Sequence, residues 1–176
     1  MVATKNLNTA VFAGGCFWCI EAAFEKLSGV VEVLSGYTGG KAINPTSEQV
    51  SSGTTGHYEA IQITYDSQQI SYQQLLNRFW KNIDPFDSYG QFVDKGSQYL
   101  TAIFYGNETE RKLAEKSKQE LQLKFSKPIA TKILPLREFY LAEDYHQDFY
   151  KKNPLRYRSY SENSGRKERL KEVWEE

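Results

Sequence analysis

Apolar positions along this chain fall into two rhythms, and each stretch of rhythm predicts an element. "NTAVFAGG" (8–15) is a short apolar run closed by Gly14-Gly15, which reads as a buried strand ending in a flexible turn. "FWCIEAAFEKL" (17–27) follows as a helix, stopped at Ser28-Gly29. "VVEVLSGYTGG" (30–40) alternates like a strand until its glycines, and "YEAIQITYD" (58–66) is a second strand. Between them, residues 41–57 are rich in Gly, Ser, Thr and Asn and read as a long polar loop of functional length. "ISYQQLLNRFWKNID" (70–84) has the apolar spacing of an amphipathic helix. The loop "PFDSYGQFVDKGS" then leads to the strand "QYLTAIFYG" (98–106). A charged helix over 107–125, opened by Asn107 as N-cap, precedes the strand "IATKILPLREF".

This order, β-α-β, β-α-β, α-β, predicts an α+β fold: a ferredoxin-like split βαβ plait with one antiparallel connection. From residue 142 onward the chain is polar and aromatic without clear period, which predicts an irregular wrapping tail. "RKERLKEVWEE" reads as a last short helix, with Leu170 and Trp174 on one packing face. The expectation is one catalytic domain over 1–176, its core at about 8–154 and its tail at 155–176.

Composition narrows the function classes. With 22 Lys plus Arg against 22 Asp plus Glu, no global field favours nucleic acid or a membrane surface. The basic stretch "KKNPLRYRSY" is read as solvated surface rather than an RNA site. "TAVFAGG" is far shorter than a secretory hydrophobic region, and no run reaches transmembrane length. The expected setting is the reducing cytoplasm. There a Cys-x-x-Cys pair is more often reactive or metal-bound than structural.

The chain's two cysteines are such a pair, Cys16 and Cys19 in "AGGCFWCIEAAF". A zinc site would have to recruit His57 and His146, the whole remaining Cys/His inventory, and these lie far from finger spacing. No metal is expected. A structural disulfide across two residues closes too small a loop to stabilise much. The reactive use has better support. Cys16 follows a glycine turn at a helix N-terminus, where free N–H groups and the helix dipole would lower a thiol's pKa towards neutrality. Cys16 is therefore the candidate nucleophile, and Cys19 the thiol able to resolve its oxidised form. Phe17 and Trp18 between them form either the apolar wall of a small pocket or plain core.

Glu59 alternates with Ile61 and Ile63, so it shares the inward face of its strand. A carboxyl there has its charged form disfavoured and can stay protonated as an acid. Tyr37, in phase with Val31 and Val33, and Tyr99 offer neutral hydroxyl donors at strand ends. A thiolate, an apolar pocket and neutral donors suit an electrophile whose oxygen needs protonation, such as a sulfoxide.

These residues closely resemble a known family. "GGCFWCIEAAF" is similar to the GCFW motif of peptide methionine sulfoxide reductase A. "SGYTGG", "NPTSEQVSSGTTGHYEA", "DKGSQYLTAIF" and "FYLAEDYHQDFYKKNP" match further blocks in the family's order, over roughly residues 9–154. The resemblance implies a ferredoxin-like plait and reduction of the S-epimer of methionine sulfoxide, free or in proteins, as a repair of oxidised protein. No bound cofactor is implied; thioredoxin or another dithiol restores the enzyme. It implies Cys16 as the nucleophile that becomes a sulfenic acid and Glu59 as the acid. Phe17 and Trp18 would hold the substrate methyl, Tyr37 and Tyr99 donate to its oxygen, and Asp94 hold its backbone. Asp144 and His146 lie in a matching block without an assigned role. Two departures stand out: Leu100 and Thr101 replace an arginine and a serine common after the tyrosine, and the tail lacks the resolving cysteines many members carry. Recycling is then expected through Cys19. The rival is a general thiol–disulfide oxidoreductase, which would need no acid at Glu59.

Overall fold

The computed structural model describes residues 6–175. The chain runs through β1 (Leu7–Gly14), α1 (Phe17–Glu25), β2 (Val30–Thr38), α2 (Ser47–Ser51), β3 (Tyr58–Asp66) and α3 (Tyr72–Lys81). A two-residue hairpin, β4 (Gly90–Gln91) and β5 (Asp94–Lys95), comes next, then β6 (Thr101–Tyr105), α4 (Glu108–Lys124), β7 (Lys132–Pro135) and β8 (Phe139–Leu141). It closes with α5 (Phe149–Lys152), α6 (Pro154–Asn163) and α7 (Arg166–Trp174).

Six strands form one mixed sheet in the order β7-β6-β1-β3-β2-β8; β6 and β7 are parallel and every other pairing is antiparallel. β1 lies at the centre and is covered on both faces from Ala10 onward, which is why Ala10, Val11, Phe12 and Ala13 are an unbroken apolar run rather than an alternating one. Ala10 and Phe12 face the larger core with Phe24, Leu75, Leu76 and Phe79, while Val11 and Ala13 face a smaller cluster with Ala60, Ala102 and Phe104. The Phe12 ring lies 4.9 Å from Phe79 and 5.9 Å from Phe24. Burying each such side chain contributes about 1.5–3 kcal/mol.

Local signals set the boundaries. Asn107 caps α4 as expected, its side chain accepting the Glu110 N–H at 2.9 Å. Ser71 and Gln74 cap α3 reciprocally. The 41–57 segment is not all loop, because Thr46 and Gln49 form the same reciprocal box and start α2. Val31 does not share the inward face of Tyr37: an irregularity between Val30 and Glu32 throws it outward, half-exposed, while Val33 and Tyr37 stay buried. Tyr99 lies in a 3-10 turn (Ser97–Tyr99) before β6, not in the strand.

The largest correction concerns the tail, which is helical and not irregular. α5, α6 and α7 carry few buried apolar groups; α6 turns only Tyr157, Tyr160 and Ser161 partly inward. That inner face is polar-aromatic, so apolar periodicity does not reveal the helix. Main-chain and side-chain bonds fasten the segment. β8 pairs with β2 at Gly36–Thr38, and Gln147 continues the pairing at Ser35, accepting its N–H and donating to its carbonyl. In α7, the Trp174 indole donates to the Ile83 carbonyl at 3.1 Å, Arg169 pairs with Asp84, and Val173 is buried; Leu170 is only partly covered. Among the described residues, no helix is long and apolar enough to cross a membrane.

Candidate active site

The site begins where β1 ends. Gly15 has φ +86° and a Cβ there would stand 2.7 Å from Gln91 Cβ, while a Cβ on Gly14 would stand 2.8 Å from Ile20. Only glycine makes this turn without displacing its neighbours. It delivers Cys16 as the N-cap of α1, with ψ 120° and thus still outside the helix. Cys16 and Cys19 are both free thiols and nearly buried, 6% and 5% exposed.

The first N–H of α1 does not face a thiol. Phe17 N–H donates to Glu59 Oε1 at 3.2 Å, so the sheet-borne carboxyl occupies the helix terminus. Burial pushes Glu59 up to about 8; the Phe17 N–H opposes the rise, and the negative charges of Asp94 and Cys19 add to it. At neutral pH Glu59 holds its proton.

For Cys16 the expected lowering is overturned. Burial lifts its thiol well above the ordinary value, helped by the hydrogen bond to Cys19 and the charge of Glu59. The helix terminus that should have stabilised it already serves Glu59. Cys19 is drawn down to about 6, by the Cys16 thiol first, then by Arg166 and Tyr157, against its own burial.

Around this pair stand the aromatic residues. Phe17 is fully buried, 5.8 Å from Tyr37 and 4.9 Å from His146 between ring centroids. Trp18 is less covered and stacks on Phe149, at 3.7 Å and 6° between planes, with Tyr160 edge-on at 5.7 Å. Its indole N–H donates to His146 Nδ1 at 3.0 Å, and His146 Nε2 bonds the Ser47 hydroxyl at 3.0 Å. Burial holds His146 below its ordinary pKa, keeping the acceptor nitrogen free of a proton. His146 thus fixes Trp18, whereas Asp144 lies on the surface against Lys152.

Tyr37 sits opposite Glu59 in the β2–β3 register, but its hydroxyl donates to Glu143 Oε1 at 3.0 Å. Tyr99 lies close enough that burial first, then the charges of Glu59, Asp94 and Cys16, raise its hydroxyl. Asp94, on the β4–β5 hairpin, accepts the Tyr160 hydroxyl. Thr101 bonds Thr131 instead of facing the pocket. His57 is used in the loop: its Nδ1 accepts Gly40 N–H and its Nε2 bonds the Ala42 carbonyl. The structure therefore gathers Cys16, Cys19, Phe17, Trp18, Glu59, Asp94 and Tyr99, with Tyr37 at the margin.

Sequence reasoning missed Glu143, Tyr157, Tyr160 and Arg166. Glu143 and the two tyrosines have no distinguishing local signal, and Arg166 reads as one more charge in a tail of mixed charge. The arrangement can hold a small apolar group, present a protonated carboxyl beside a thiol pair, and exclude water.

Comparison with known proteins agrees with this chemistry. The family model for peptide methionine sulfoxide reductase matches residues 8–176. Peptide methionine sulfoxide reductase MsrA of Halalkalibacterium halodurans is 53% identical over 172 residues, covering 97% of this chain and 98% of that protein. Among solved structures, reduced Mxr1 from Saccharomyces cerevisiae superposes with TM-score 0.81 at 33% identity, covering 86% of this chain and 87% of that one. The same protein in complex with Trx2 matches with TM-score 0.59 at 23% identity, covering 84% and 86%. Methionine sulfoxide reductase A of Corynebacterium diphtheriae gives TM-score 0.78 at 32% identity, covering 88% and 79%. The chain belongs to the peptide methionine sulfoxide reductase A family.

Proposed function

We propose that this protein, as a single catalytic domain, reduces the S-epimer of methionine sulfoxide, free or in proteins, through attack of Cys16 on the sulfoxide sulfur. Thiol-dependent reduction of methionine sulfoxide comes with the family; the epimer and the residue roles belong to the proposal. The observation that carries it is Glu59, a buried carboxyl that keeps its proton up to about pH 8 while bonded to the backbone beside Cys16. Thiol–disulfide exchange transfers no oxygen, so it does not need an acid placed to protonate one beside Cys16.

In the proposed reaction, Glu59 protonates the sulfoxide oxygen as Cys16 sulfur attacks. The sulfoxide sulfur gains two electrons and leaves as methionine. The oxygen passes to Cys16 sulfur as its bond to the methionine sulfur and the new bond between the two sulfurs break; Cys16 sulfur loses two electrons and becomes a sulfenic acid, and the Cys16 proton restores Glu59. Phe17 and Trp18 hold the methyl group, Asp94 the substrate backbone, and Tyr99 donates to the oxygen. Tyr37 can do so only by turning from Glu143. Cys19 then closes a disulfide on Cys16, which a thioredoxin reduces; the complex of Mxr1 with Trx2 supports this partner. The core under the site is read as a split βαβ, ferredoxin-like plait. The β6-β1-β3-β2 order, with α1 and α3 as crossovers, supports that reading.

The test is incubation with each epimer of a methionine sulfoxide peptide and a dithiol. Methionine should form from the S-epimer alone. Reduction of protein disulfides with no methionine from either epimer would replace this reading with the exchanger.

A further inference from the structure

A cavity opens at the end of β1 away from the thiols, where β6 lets go of its neighbour. The two strands pair from Val11 to Gly14, and β6 then leaves through Gly106 and Asn107 into α4. Among the described residues, Asn8 and Thr9 therefore have β3 on one side and no strand on the other. The gap is a cavity of about 520 Å³ between the starts of α3 and α4, within the size range of small-molecule sites. The length of β1 separates it from Cys16, roughly 20 Å of extended chain. Val11, Phe104 and Leu136 give it an apolar lining, and Tyr65 and Tyr72 add rings that carry hydroxyls.

Two groups in this lining are not matched by the fold. Tyr72 is 7% exposed, and its buried hydroxyl has no hydrogen-bond partner among the described residues. Native structures rarely leave such a group unmatched, because its desolvation is a net cost. Glu110, half-buried in the first turn of α4, is held by neutral donors: Gly106 N–H on Oε1 at 3.0 Å and the Asn107 side-chain amide on Oε2 at 3.2 Å. Among the described residues it makes no ion pair, and no lysine or arginine lines the cavity. The carboxylate and the hydroxyls lie near one another: burial first, then the Glu110 charge, raises both Tyr72 and Tyr65.

We propose that this cavity binds an organic cation, a primary alkylammonium whose head bonds the Glu110 carboxylate and the Tyr72 hydroxyl oxygen while its chain lies on Val11, Phe104 and Leu136. An ammonium brings a positive charge and three donors, and both named oxygens accept. The tyrosine rings offer their faces to the same charge. An anion is disfavoured, because the α4 terminus that would draw it already carries Glu110, with the Glu110 N–H bonded to Asn107 Oδ1 at 2.9 Å. A metal ion is disfavoured too: one carboxylate is a poor oxygen cage, and an ion has no use for a hydrocarbon wall. The site stands apart from the thiol chemistry and does not depend on it.

The test titrates the full-length, isotope-labelled protein with n-butylammonium chloride and follows the backbone amides by NMR. Butanol and sodium butyrate serve as the neutral and anionic probes of the same chain length. Shifts at Gly106, Asn107 and Thr109 should saturate with n-butylammonium at a Kd of about 1 mM or below, and the other two probes should bind at least about tenfold more weakly. Glu110→Gln, which keeps an acceptor for Gly106 N–H and removes the charge, should weaken binding by about tenfold or more. Tyr72→Phe, which keeps the ring and removes one hydroxyl, should weaken it by about threefold to tenfold. Both variants should reduce methionine sulfoxide at the wild-type rate, which shows that they fold. Equal binding of butanol, or an unchanged Kd in Glu110→Gln, overturns the proposal. So do shifts spread over the exposed acidic residues with none at Gly106 and Asn107, and so does failure of all three probes to saturate.

Discussion

The active site is assembled from two regions held in different ways. Cys16, Phe17, Trp18, Tyr37 and Glu59 stand on β1, α1, β2 and β3, where backbone ladders fix their positions. His146, Phe149, Tyr157, Tyr160 and Arg166 come from the segment after β8, whose hold on the site is through side chains: a ring stack, an indole bond and a guanidinium fork. In the proposed reaction the sheet-borne half supplies the reacting atoms, and the C-terminal half covers them. Their substitutions should therefore fail differently.

The largest effect is expected in the sheet-borne half. Cys16→Ser should abolish turnover, because a hydroxyl oxygen is a far weaker nucleophile than sulfur and does not take up the sulfoxide oxygen as a sulfenic acid does. Activity within about tenfold of wild type, by methionine release, would move the nucleophile to Cys19.

Next comes Glu59→Gln, which keeps a donor but cannot give up a proton. Single-turnover methionine formation should slow by roughly 10²–10⁴-fold. The wild-type rate should fall as pH rises through about 8, where Glu59 ionises, and the variant should lose that limb. Stability carries the same sign. The folded pKa lies above the unfolded one, so the Glu59 contribution is full below the unfolded value and lost as pH rises through about 8. Denaturant unfolding of Glu59→Gln should therefore depend less on pH. An unchanged rate profile removes the acid role.

In the C-terminal half the effects are on capture. His146→Ala leaves the Trp18 indole N–H without its acceptor. That costs about 1–3 kcal/mol, or roughly 5–150-fold in KM, with kcat changed less. An unchanged KM would mean that the Phe149 stack alone holds Trp18. The smallest effect should come from Tyr160→Phe. Its hydroxyl now occupies Asp94, the proposed holder of the substrate backbone. Removing it should lower KM by about 2–10-fold, the worth of one hydrogen bond. A raised KM would make Tyr160 a substrate contact instead.

The same division governs what could be read from sequence. Cys16 at a glycine turn and Glu59 in phase with Ile61 and Ile63 were legible, because strand period and helix start are local signals. So was the Asn107 cap. The Thr46–Gln49 capping box carried a usable signal in "TSEQ", which polar composition obscured. The pKa of Cys16 was not legible. Its rise comes from burial first, then from the Cys19 hydrogen bond and the charge of Glu59 on a distant strand, and burial at that point is set by the fold and not by the local sequence. Nor were α6 and its tyrosines, since a helix whose inner face is polar and aromatic has no apolar stripe to announce it. The match of Trp18 to His146 spans most of the chain, and only the fold brings the two together.

The central claim is that one sulfoxide oxidises the Cys16–Cys19 pair and nothing else in the chain. The reduced protein, mixed with excess methionine-S-sulfoxide and no reductant, should release one methionine per chain. It should then show no free thiol, remain monomeric, and give a 16–19 linkage by peptide mapping. A persistent sulfenic acid at Cys16 beside a free, alkylatable Cys19 would contradict it.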